Sequence, residues 1–495
     1  MEDKMMQTVY YDQDEKEQGR AGLIIFDRRK ETQVILLEGK QVTIGRDYPG
    51  AKSDIRFESE IVSRDHGIVV KENGGWWYQD RKSTNGTFCD GTLLFNTDKK
   101  VRLKNGDVLR VDSMNPSKRH KDSVLIIFSE RCRKNDKWGS CCLEKGSTII
   151  GRDEERCKIV LSDPHVSKSH AEIRSDKDGK YWIRDLDSYN GTFVNGTEVK
   201  KWRRLQDKDV IMICGVRLIF ADNTILYSHE KIAGVQMEVD IKKKEVPSFD
   251  NKGKMVTLLK DIHLDLESGD FVTILGGSGA GKSTLLGCMN GFEQEGVHGQ
   301  IRVNGINLYQ NYDKLKMIIG YVPQSDDDLP QELTAYELVY TTAQLRVSWE
   351  TPKELKQRVE RTLQSLNLTA KKRTLVHKLS GGEKRRVSIA MELVADPMII
   401  FMDEATSGLD PKSEKEVMEI SKRIAHDQNK IVMMITHNTQ NIVLCDKLIV
   451  LCKAKQVGRL AFFGTPEETL RYFDISSINE VYDKLNTQPE KYVRH

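Results

Sequence analysis

The chain has 495 residues, of which 38% are hydrophobic and 31% charged. At about 150 residues per domain, this length predicts roughly three packed domains. Its 77 basic and 74 acidic side chains nearly balance, and a net charge of +3 does not favour nucleic acid as a partner. The nine cysteines are scattered without metal-ligand spacing, which indicates reduced thiols in a cytosolic protein.

Residues 1–20 carry six acids against three bases and lack the apolar segment of a signal peptide. This composition predicts a disordered acidic tail. No run approaches the ~18 apolar residues of a membrane span. The longest candidate, residues 210–221, is too short and contains Arg217. We therefore expect that the chain does not itself cross a bilayer.

An internal repeat follows, and its first landmark recurs after 106 residues: Gly45-Arg46 corresponds to Gly151-Arg152. The later landmarks pair Ser63-Arg64-Asp65-His66 with Ser167-Lys168-Ser169-His170, and Ser83-Thr84-Asn85-Gly86-Thr87 with Ser188-Tyr189-Asn190-Gly191-Thr192. Short β-type runs lie between turn signals at residues 23–26, 33–37, 101–103 and 123–128. This pattern predicts an antiparallel β-sandwich of about 100 residues in each copy.

The repeat resembles the forkhead-associated (FHA) domain over roughly residues 21–228. The resemblance implies that loops at one end of each sandwich bind a phosphothreonine peptide. By position, the binding residues are Arg46, Ser63, Arg64, Thr84 and Asn85 in the first copy and Arg152, Ser167, Lys168 and Asn190 in the second, where Tyr189 replaces the threonine. A guanidinium backed by hydroxyl and amide donors suits a dianion. We expect His66 and His170 to brace the loops. The alternative is a sandwich kept for packing or dimerisation.

Residues 271–285, FVTILGGSGAGKSTL, run from an apolar strand through a glycine-rich turn into a helix. The spacing fits G-x-x-x-x-G-K-[ST], in which backbone N–H groups bind a polyphosphate. The predicted phosphate-binding residues are Gly276, Gly277, Ser278, Gly279, Ala280, Gly281, Lys282, Ser283 and Thr284. Ahead of them, residues 256–266 alternate apolar and polar side chains, which predicts a strand covering the edge of this domain.

Further signals follow Lys282 in order: Gln324 in YVPQSDD, the run LSGGEKRR at residues 379–386, an apolar strand ending in Asp403 and Glu404, Asp410, and a second apolar strand ending beside His437. An acid at the end of a buried strand beside a phosphate loop is where Mg²⁺ needs a ligand, so Asp403 takes that role. Glu404 is positioned to orient or deprotonate water. Ser380, Gly381 and Gly382 begin a helix and offer donors to an anion.

This order of motifs resembles an ATP-binding-cassette (ABC) ATPase over roughly residues 232–475. The resemblance implies that ATP and Mg²⁺ are cofactors and that two copies pair head to tail. Ser380, Gly381 and Gly382 of one copy then close on ATP bound by the other, and Asp410 communicates across the dimer. It also implies catalytic roles for Lys282, Gln324, Glu404 and His437, with Ser283, Gln324 and Asp403 as Mg²⁺ ligands. Gln324 would relay the nucleotide state to a membrane partner.

The segments SGGEKRRVSIAMEL and VGRLAFFGTPEETLRYF most resemble the G-like exporters. Those exporters continue into transmembrane helices, whereas this chain ends at His495 after a charged segment. The family commonly stacks adenine on an aromatic side chain, for which Phe249 is the candidate here.

We therefore predict two all-β FHA-type sandwiches followed by an α/β P-loop ATPase domain with a helical subdomain. The predicted boundaries are a disordered acidic tail at 1–20, FHA domains at 21–129 and 130–229, a nucleotide-binding domain at 230–475 and a charged tail at 476–495.

The predicted function is the ATPase subunit of an ABCG-like export transporter, regulated by phosphothreonine peptides. Its expected partners are a transmembrane permease, a second copy, and a Ser/Thr kinase or phosphothreonine protein. Its expected location is cytoplasmic, on the inner face of the cell membrane. The alternative is a soluble, phosphopeptide-recruited ATPase scaffold without a permease.

Overall fold

The computed structural model describes residues 20–27, 32–72, 75–89, 92–104, 106–114, 120–132, 138–163, 165–221, 223–228, 234–248, 254–347, 351–436, 438–439, 441–487 and 489–493. These residues divide into two compact units. The first unit is built around one β-sandwich, and the second combines another β-sandwich with an α/β domain.

The first sandwich consists of β1 (Arg20–Phe26), β2 (Thr32–Leu36), β3 (Gln41–Arg46), β4 (Ile55–Phe57), β5 (Gly67–Glu72), β6 (Gly75–Asp80), β7 (Thr87–Cys89), β8 (Thr92–Leu94), β9 (Lys100–Leu103), β10 (Val108–Val111) and β11 (Val124–Cys132). One sheet has the order β2-β1-β11-β10-β7-β8 and the other β4-β3-β5-β6-β9. The prediction of a sandwich is confirmed. Its pairing is mainly antiparallel, and the short β4 pairs parallel to β3.

The second sandwich repeats this arrangement with β12 (Trp138–Cys142), β13 (Ser147–Gly151), β14 (Ile159–Val160), β15 (Ala171–Ser175), β16 (Tyr181–Asp185), β17 (Thr192–Val194), β18 (Thr197–Glu198), β19 (Arg203–Arg204), β20 (Asp209–Ile213), β21 (Val216–Ala221) and β22 (Thr224–Ser228). Its sheets have the orders β12-β22-β21-β20-β17-β18 and β14-β13-β15-β16-β19. The five-stranded sheets therefore correspond strand for strand. The six-stranded sheets differ at one place: the strand beside β11 is the N-terminal β1 in the first copy, whereas the strand beside β21 is the C-terminal β22 in the second.

Period-two side-chain patterns position the strands of both sandwiches. In β6, for example, Trp76 and Tyr78 are buried while Trp77 between them is only half-buried. Successive side chains of a strand point to opposite faces, so the alternation directs one set into the core. The loops that join the strands then lie at the ends of each sandwich, where the predicted phosphate ligands are found.

The α/β domain follows with the strands β23 (Gln236–Pro247), β24 (Met255–Glu267), β25 (Phe271–Gly276), β26 (Val297–Val303), β27 (Ile306–Asn307), β28 (Ile319–Val322), β29 (Ile399–Met402), β30 (Ile431–Ile435), β31 (Lys447–Ala454) and β32 (Val457–Gly464). Its helices are α1 (Lys282–Asn290), α2 (Tyr312–Leu315), α3 (Ala335–Arg346), α4 (Pro352–Ser365), α5 (Gly381–Leu393), α6 (Pro411–Asp427), α7 (Pro466–Phe473) and α8 (Glu480–Thr487). Short 3₁₀ helices lie at Lys316–Ile318, Thr369–Lys371, Val376–Lys378, Ile442–Leu444 and Pro489–Tyr492.

The strands form one sheet in the order β27-β26-β23-β24-β32-β31-β25-β30-β29-β28. Strands β25, β29 and β30 are buried at every residue and pair in parallel with their neighbours. Their side chains alternate between two hydrophobic clusters, one containing Phe271 and Leu275 and the other Val272 and Ile274. Apolar layers on both faces explain why these strands read as continuous hydrophobic runs. The carboxyl ends of these strands carry the predicted phosphate loop and acids.

The structure corrects two sequence predictions in this domain. Residues 256–266 do form a strand, but β24 lies between β23 and β32 and therefore does not cover an edge. Residues 476–495 are not simply a charged tail, because α8 buries Val481 and Leu485 and the following turn buries Tyr492 in the core. The two apolar residues of α8 lie one helical turn apart among charged neighbours, so the segment reads as polar overall.

In the part of the chain that the structure describes, no helix is both long enough and apolar enough to span a lipid bilayer.

Candidate functional site: a phosphate loop with two loop pockets

The glycine-rich turn connects β25 to α1, as predicted. Gly281 is the residue before α1 and has a φ of 91°, a conformation that glycine adopts readily. A Cβ on Gly281 would lie 2.5 Å from Leu259 Cδ2, so the leucine side chain would have to move to make room for it. Ser278 and Gly279 are exposed while Ala280 is buried. The first N–H groups of α1 therefore face outward from a loop without side-chain bulk, which is the arrangement that binds phosphate.

Lys282 is buried at the start of α1 and its ammonium lies within the loop. Its Nζ donates to the carbonyl oxygens of Gly276 at 2.9 Å and Gly277 at 3.2 Å. Burial lowers the pKa of Lys282, and the charges of Glu404 and Asp403 oppose that shift. Both acids are therefore close enough to act on the ammonium. Lys282 and Asp403 are 121 residues apart in sequence, and the fold brings the phosphate loop and the acid pair together at one site.

The two acids follow directly after β29. The backbone N–H of Asp403 donates to the carbonyl of Val322 at 3.0 Å, which fixes the strand end beside β28. Burial, followed by the charge of Glu404, raises the pKa of Asp403. Glu404 has a φ of 45°, an uncommon backbone conformation for a residue with a side chain. Its Oε2 accepts a hydrogen bond of 2.8 Å from Gln324 Nε2. A direct hydrogen bond thus links the side chains of Glu404 and Gln324.

The donor atoms at this place fit Mg²⁺, which prefers oxygen ligands and usually retains bonds to substrate phosphates. Ser283 is exposed in the first turn of α1, and the half-buried Asp403 carboxylate interacts electrostatically with the neighbouring Lys282. Gln324 uses its Nε2 for Glu404, so its carbonyl oxygen is the group that can face a cation. Among the described residues, no cluster of three His, Cys, Asp or Glu side chains could hold a metal. Water molecules and phosphate oxygens would complete the coordination shell.

The predicted second phosphate contact begins α5. Ser380 is the N-cap residue, and its Oγ accepts from the N–H of Glu383 at 3.3 Å while Glu383 Oε2 accepts from the N–H of Ser380 at 2.9 Å. Ser380 and Gly381 are exposed. A Cβ on Gly382 would lie 2.7 Å from Ser413 Oγ, so this helix start packs closely against α6. Within one chain the turn is a capped helix start that faces outward.

Arg385 is a functional residue that the sequence analysis did not single out. It is buried on α5, and its guanidinium donates to the carbonyls of Pro323 at 2.6 Å and Gln324 at 2.5 Å. It also pairs with Asp326 at 3.2 Å. The helix that starts at Ser380 therefore holds the loop that carries Gln324. In the sequence, Arg385 is the second basic residue of GGEKRR, and the motif does not reveal that its side chain is buried.

Three further predicted residues have different outcomes. Asp410 caps α6 by accepting from the N–H groups of Lys412 and Ser413, both at 3.1 Å, so it has a structural role within its own chain. His437 and Phe249 lie outside the described residues. Their predicted roles toward the γ-phosphate and the adenine stay predictions.

The predicted ligands of the first FHA-type pocket lie on loops that bond to one another. The N–H of Thr84 donates to Ser63 Oγ at 2.9 Å, and the two hydroxyl oxygens are 3.2 Å apart. Asn85 Nδ2 donates to the carbonyl of Ile61 at 2.9 Å. The N–H of Arg46, at the end of β3, donates to the carbonyl of Ser63 at 2.9 Å. Arg46, Ser63, Thr84 and Asn85 therefore meet at one end of the sandwich.

The glycine before each pocket arginine has a packing reason. A Cβ on Gly45 would lie 2.2 Å from the carbonyl oxygen of Arg64, and one on Gly151 would lie 2.2 Å from that of Lys168. Only glycine lets the strand approach the following loop this closely. The Arg64 guanidinium itself lies over the ring of Tyr48, with its Cζ 5.1 Å from the ring centre.

Two buried histidines brace the pocket loops, as expected. His66 Nδ1 accepts from the N–H of Ser63 at 3.0 Å, and His170 Nδ1 accepts from the N–H of Ser167 at 3.1 Å. Burial lowers the pKa of His66 to about 4 and also lowers that of His170. Both rings are therefore neutral near pH 7, and each holds its loop through a nitrogen acceptor.

The second pocket repeats the same hydrogen bonds. The N–H of Tyr189 donates to Ser167 Oγ at 3.2 Å, and the N–H of Arg152 donates to the carbonyl of Ser167 at 3.1 Å. Asn190 Nδ2 donates to the carbonyl of His165 at 2.9 Å. The tyrosine that replaces threonine keeps the backbone arrangement and changes only the side chain presented at the pocket.

Family models match three parts of the chain. The ABC transporter model matches residues 259–407, and the FHA domain model matches residues 42–112 and 148–214. The first match contains the phosphate loop, Gln324, the turn at Ser380 and both acids. The other two contain the pocket arginines, the bracing histidines and Asn85 or Asn190.

Relatives in sequence include two ABC transporter proteins and a probable ATP-dependent permease. The ABC transporter ATP-binding/permease protein Rv1747 of Mycobacterium tuberculosis is 32% identical over 350 residues, which cover 70% of this chain and 39% of the relative. A probable ATP-dependent permease of Saccharomyces cerevisiae is 39% identical over 225 residues, covering 43% and 21%. ABC transporter G family member 19 of Arabidopsis thaliana is 35% identical over 245 residues, covering 48% and 33%. The chain thus spans well under half the length of these relatives.

Solved structures with similarity to the chain are ABC cassettes. The ATP-binding cassette MJ0796, in a dimeric post-hydrolysis state bound to ADP and Pi, is 24% identical with a TM-score of 0.40 and covers 46% of this chain and 98% of its own. cbiO1 from Clostridium perfringens, part of the ABC transporter complex cbiONQ, is 26% identical with a TM-score of 0.42 and covers 52% and 96%.

The fold, the phosphate loop and the acid pair define the second unit's α/β domain as an ABC-type ATPase domain that binds ATP. The chain contains an ABC transporter domain, matched over residues 259–407, and two FHA domains, matched over residues 42–112 and 148–214.

Proposed function

We propose that this chain is the ATP-hydrolysing, Mg²⁺-dependent subunit of an export-type ABC transporter, and that phosphothreonine peptides regulate it through the first FHA pocket. It would act as a homodimer bound to a permease at the inner face of the cell membrane. One observation carries the catalytic part: the Glu404 carboxylate is held by Gln324 close enough to Lys282 to act on its ammonium.

Each residue has a task that its position allows. The exposed N–H groups of the loop and the Lys282 ammonium bind the phosphates of ATP. Ser283, Asp403 and Gln324 would hold Mg²⁺, which would supply positive charge to offset the developing charge of the phosphates. Glu404 accepts a hydrogen bond or proton from the attacking water. Gln324, fixed by Arg385, keeps Glu404 oriented and links the site to α5.

A second copy is needed to complete this site. The turn at Ser380 is an exposed helix start, and such a start offers N–H groups to an anion. A closed pair of chains would place that turn on the ATP bound by the partner. Binding energy would then close the dimer and hydrolysis would reopen it.

Regulation through the first pocket is tested by Arg46→Ala. The guanidinium at the end of β3 provides the strongest donor to a dianion, and losing a charged hydrogen bond costs about 1.5–3 kcal/mol, roughly 10- to 100-fold in affinity. We expect the full chain carrying Arg46→Ala to lose most binding to a phosphothreonine peptide library, measured by pull-down and mass spectrometry. Its ATPase rate without peptide should be unchanged.

The matched control is Arg102→Ala, which removes an exposed arginine from β9 of the same sandwich. It should bind the library as the unmodified chain does. Equal binding by the Arg46→Ala variant, or equal binding of the dephosphorylated library, would contradict the regulatory part of the proposal.

A further inference from the structure

The pocket loops of the second FHA domain lie against the α/β domain of the same chain. Tyr189 Oη donates to the carbonyl of Arg346, the last residue of α3, at 3.1 Å. Lys314 Nζ donates to the carbonyl of Ser188 at 2.9 Å. His165 Nε2 lies 2.5 Å from the carbonyl oxygen of Asp396. The loops that would bind a peptide are therefore already in contact with the α/β domain of the same chain.

Apolar packing fixes this arrangement. Phe193 on β17 and Met212 on β20 are 2% and 8% exposed, and both belong to the same buried cluster as Leu315 and Ile318 of the α/β domain. A shared core makes the second FHA domain and the nucleotide-binding domain one compact unit. The direction in which the pocket faces is thus set by the fold.

The charges of the cationic residues of this pocket act on the start of α4. Glu354 lies in the first turn of α4, where its Oε2 accepts from the N–H of Thr351 at 2.7 Å and the Thr351 Oγ accepts from the N–H of Glu354 at 3.3 Å. These bonds to Thr351 are the largest cause of the lowered pKa of Glu354, and the charges of Lys168 and Arg152 add to it. The Glu354 carboxylate, which is hydrogen-bonded to Thr351, therefore lies within electrostatic reach of the two predicted phosphate ligands.

The pocket contains two cations and one buried donor atom without a partner. The cations Arg152 and Lys168 both act on the carboxylate of Glu354. Within the described residues, Arg152 Nε is a buried nitrogen that has no hydrogen-bond partner. A buried, unpaired donor of this kind costs about 1–3 kcal/mol, so it points to an acceptor that arrives later. Thr351 is exposed and is followed by Pro352, so its hydroxyl is accessible to a protein kinase.

We propose that the ligand of the second FHA pocket is this chain's own Thr351 in phosphorylated form. A protein kinase would transfer the γ-phosphoryl group of ATP to Thr351 Oγ, with loss of the hydroxyl proton to the kinase and release of ADP. The new dianion would bind the guanidinium of Arg152 and the ammonium of Lys168. The inference rests on the proposed function in one respect, because it extends to the second pocket the phosphothreonine binding that is proposed for the first.

A phosphate in this position acts on the ATPase domain in two ways. It stabilises the start of α4, since a dianion is favourable at a helix N-terminus. It also ties α3 and α4 to the FHA domain. Arg346 at the end of α3 bonds to Glu392 at 2.6 Å, and Glu392 accepts from the N–H of Tyr321 at 3.2 Å, three residues before Gln324. The pocket is therefore connected by direct contacts to the strand that leads to the catalytic loop.

The test uses the full chain with phosphothreonine encoded at position 351, treated with a broad-specificity phosphatase and followed by intact mass. The chain contains a matched control at Thr465, which caps α7 with the same T-P-x-E sequence and the same reciprocal bonds to Glu468. Helix α7 packs on β31 and β32. Thr465 is half-buried and Thr351 is exposed, so accessibility alone predicts faster loss of phosphate from position 351.

We expect the opposite order: phosphate at 351 should be lost at least tenfold more slowly than phosphate at 465. Lys168→Ala and, independently, Arg152→Lys should each restore rapid loss, and protection should not depend on protein concentration. Equal rates at the two positions, protection that survives both variants, or protection that appears only at high concentration would overturn the proposal. The ATPase rate and peptide binding at Arg46 are measured on the same material, so failure here is distinguishable from failure of the proposed function.

Discussion

Replacing Glu404 with glutamine is expected to lower the rate of ATP hydrolysis by about 10²- to 10⁴-fold, the usual contribution of a general base. The amide keeps the shape of the side chain and can still bond to Gln324, so the site should stay assembled. It cannot take a proton from water. ATP affinity should therefore be retained while turnover is lost, and phosphate release in the steady state measures the difference.

The control for this variant is Glu467→Gln, a change of the same kind at an exposed position in the first turn of α7. Its rate should equal that of the unmodified chain. A Glu404→Gln variant that hydrolyses ATP at the normal rate would show that another group activates the water.

Replacing Lys282 with alanine is expected to weaken ATP binding by about 3 kcal/mol, or roughly a hundredfold, as for other lost charged contacts in desolvated sites. The ammonium is the buried cation of the phosphate loop, and its pKa is lowered chiefly by burial. Removing it relieves that burial cost, so we expect the domain to remain folded. Fluorescence titration with an ATP analogue gives the dissociation constant, and circular dichroism verifies the fold.

Lys415→Ala on the exposed face of α6 is the matched control, because it removes one positive charge away from the loop. It should leave ATP affinity unchanged. An unaltered affinity in the Lys282→Ala variant would mean that the backbone N–H groups alone hold the phosphates.

The sequence predicts the domain architecture because its motifs have strict geometric requirements. A repeat with Gly45 and Gly151 at matching places requires matching backbone contacts, and the five-stranded sheets that contain these glycines have corresponding strand orders. The ATPase motifs likewise mark strand ends, where parallel strands bring distant residues together. Lys282 and Asp403 are an example. Lys282 begins α1 after the turn that follows the buried strand β25, and Asp403 directly follows the buried strand β29.

Other features depend on packing between parts of the chain that no local pattern encodes. Arg385 lies in a run of charged residues, yet it is buried against the carbonyl of Gln324. Phe193 and Met212 read as core residues of their own sandwich, but they pack into the neighbouring domain. The contact between Tyr189 and Arg346 joins residues 157 positions apart. Such contacts follow from surface complementarity, which appears only once both domains are folded.

Two copies of the chain are expected to enclose ATP between the loop at Lys282 of one and the turn at Ser380 of the other. Sedimentation of the Glu404→Gln variant tests it most directly, with and without ATP and Mg²⁺. We predict a species of twice the 56.6 kDa chain mass only when ATP is present, and its loss when Ser380→Arg is added. A variant that stays monomeric with ATP, or a dimer that tolerates arginine at position 380, would contradict the account.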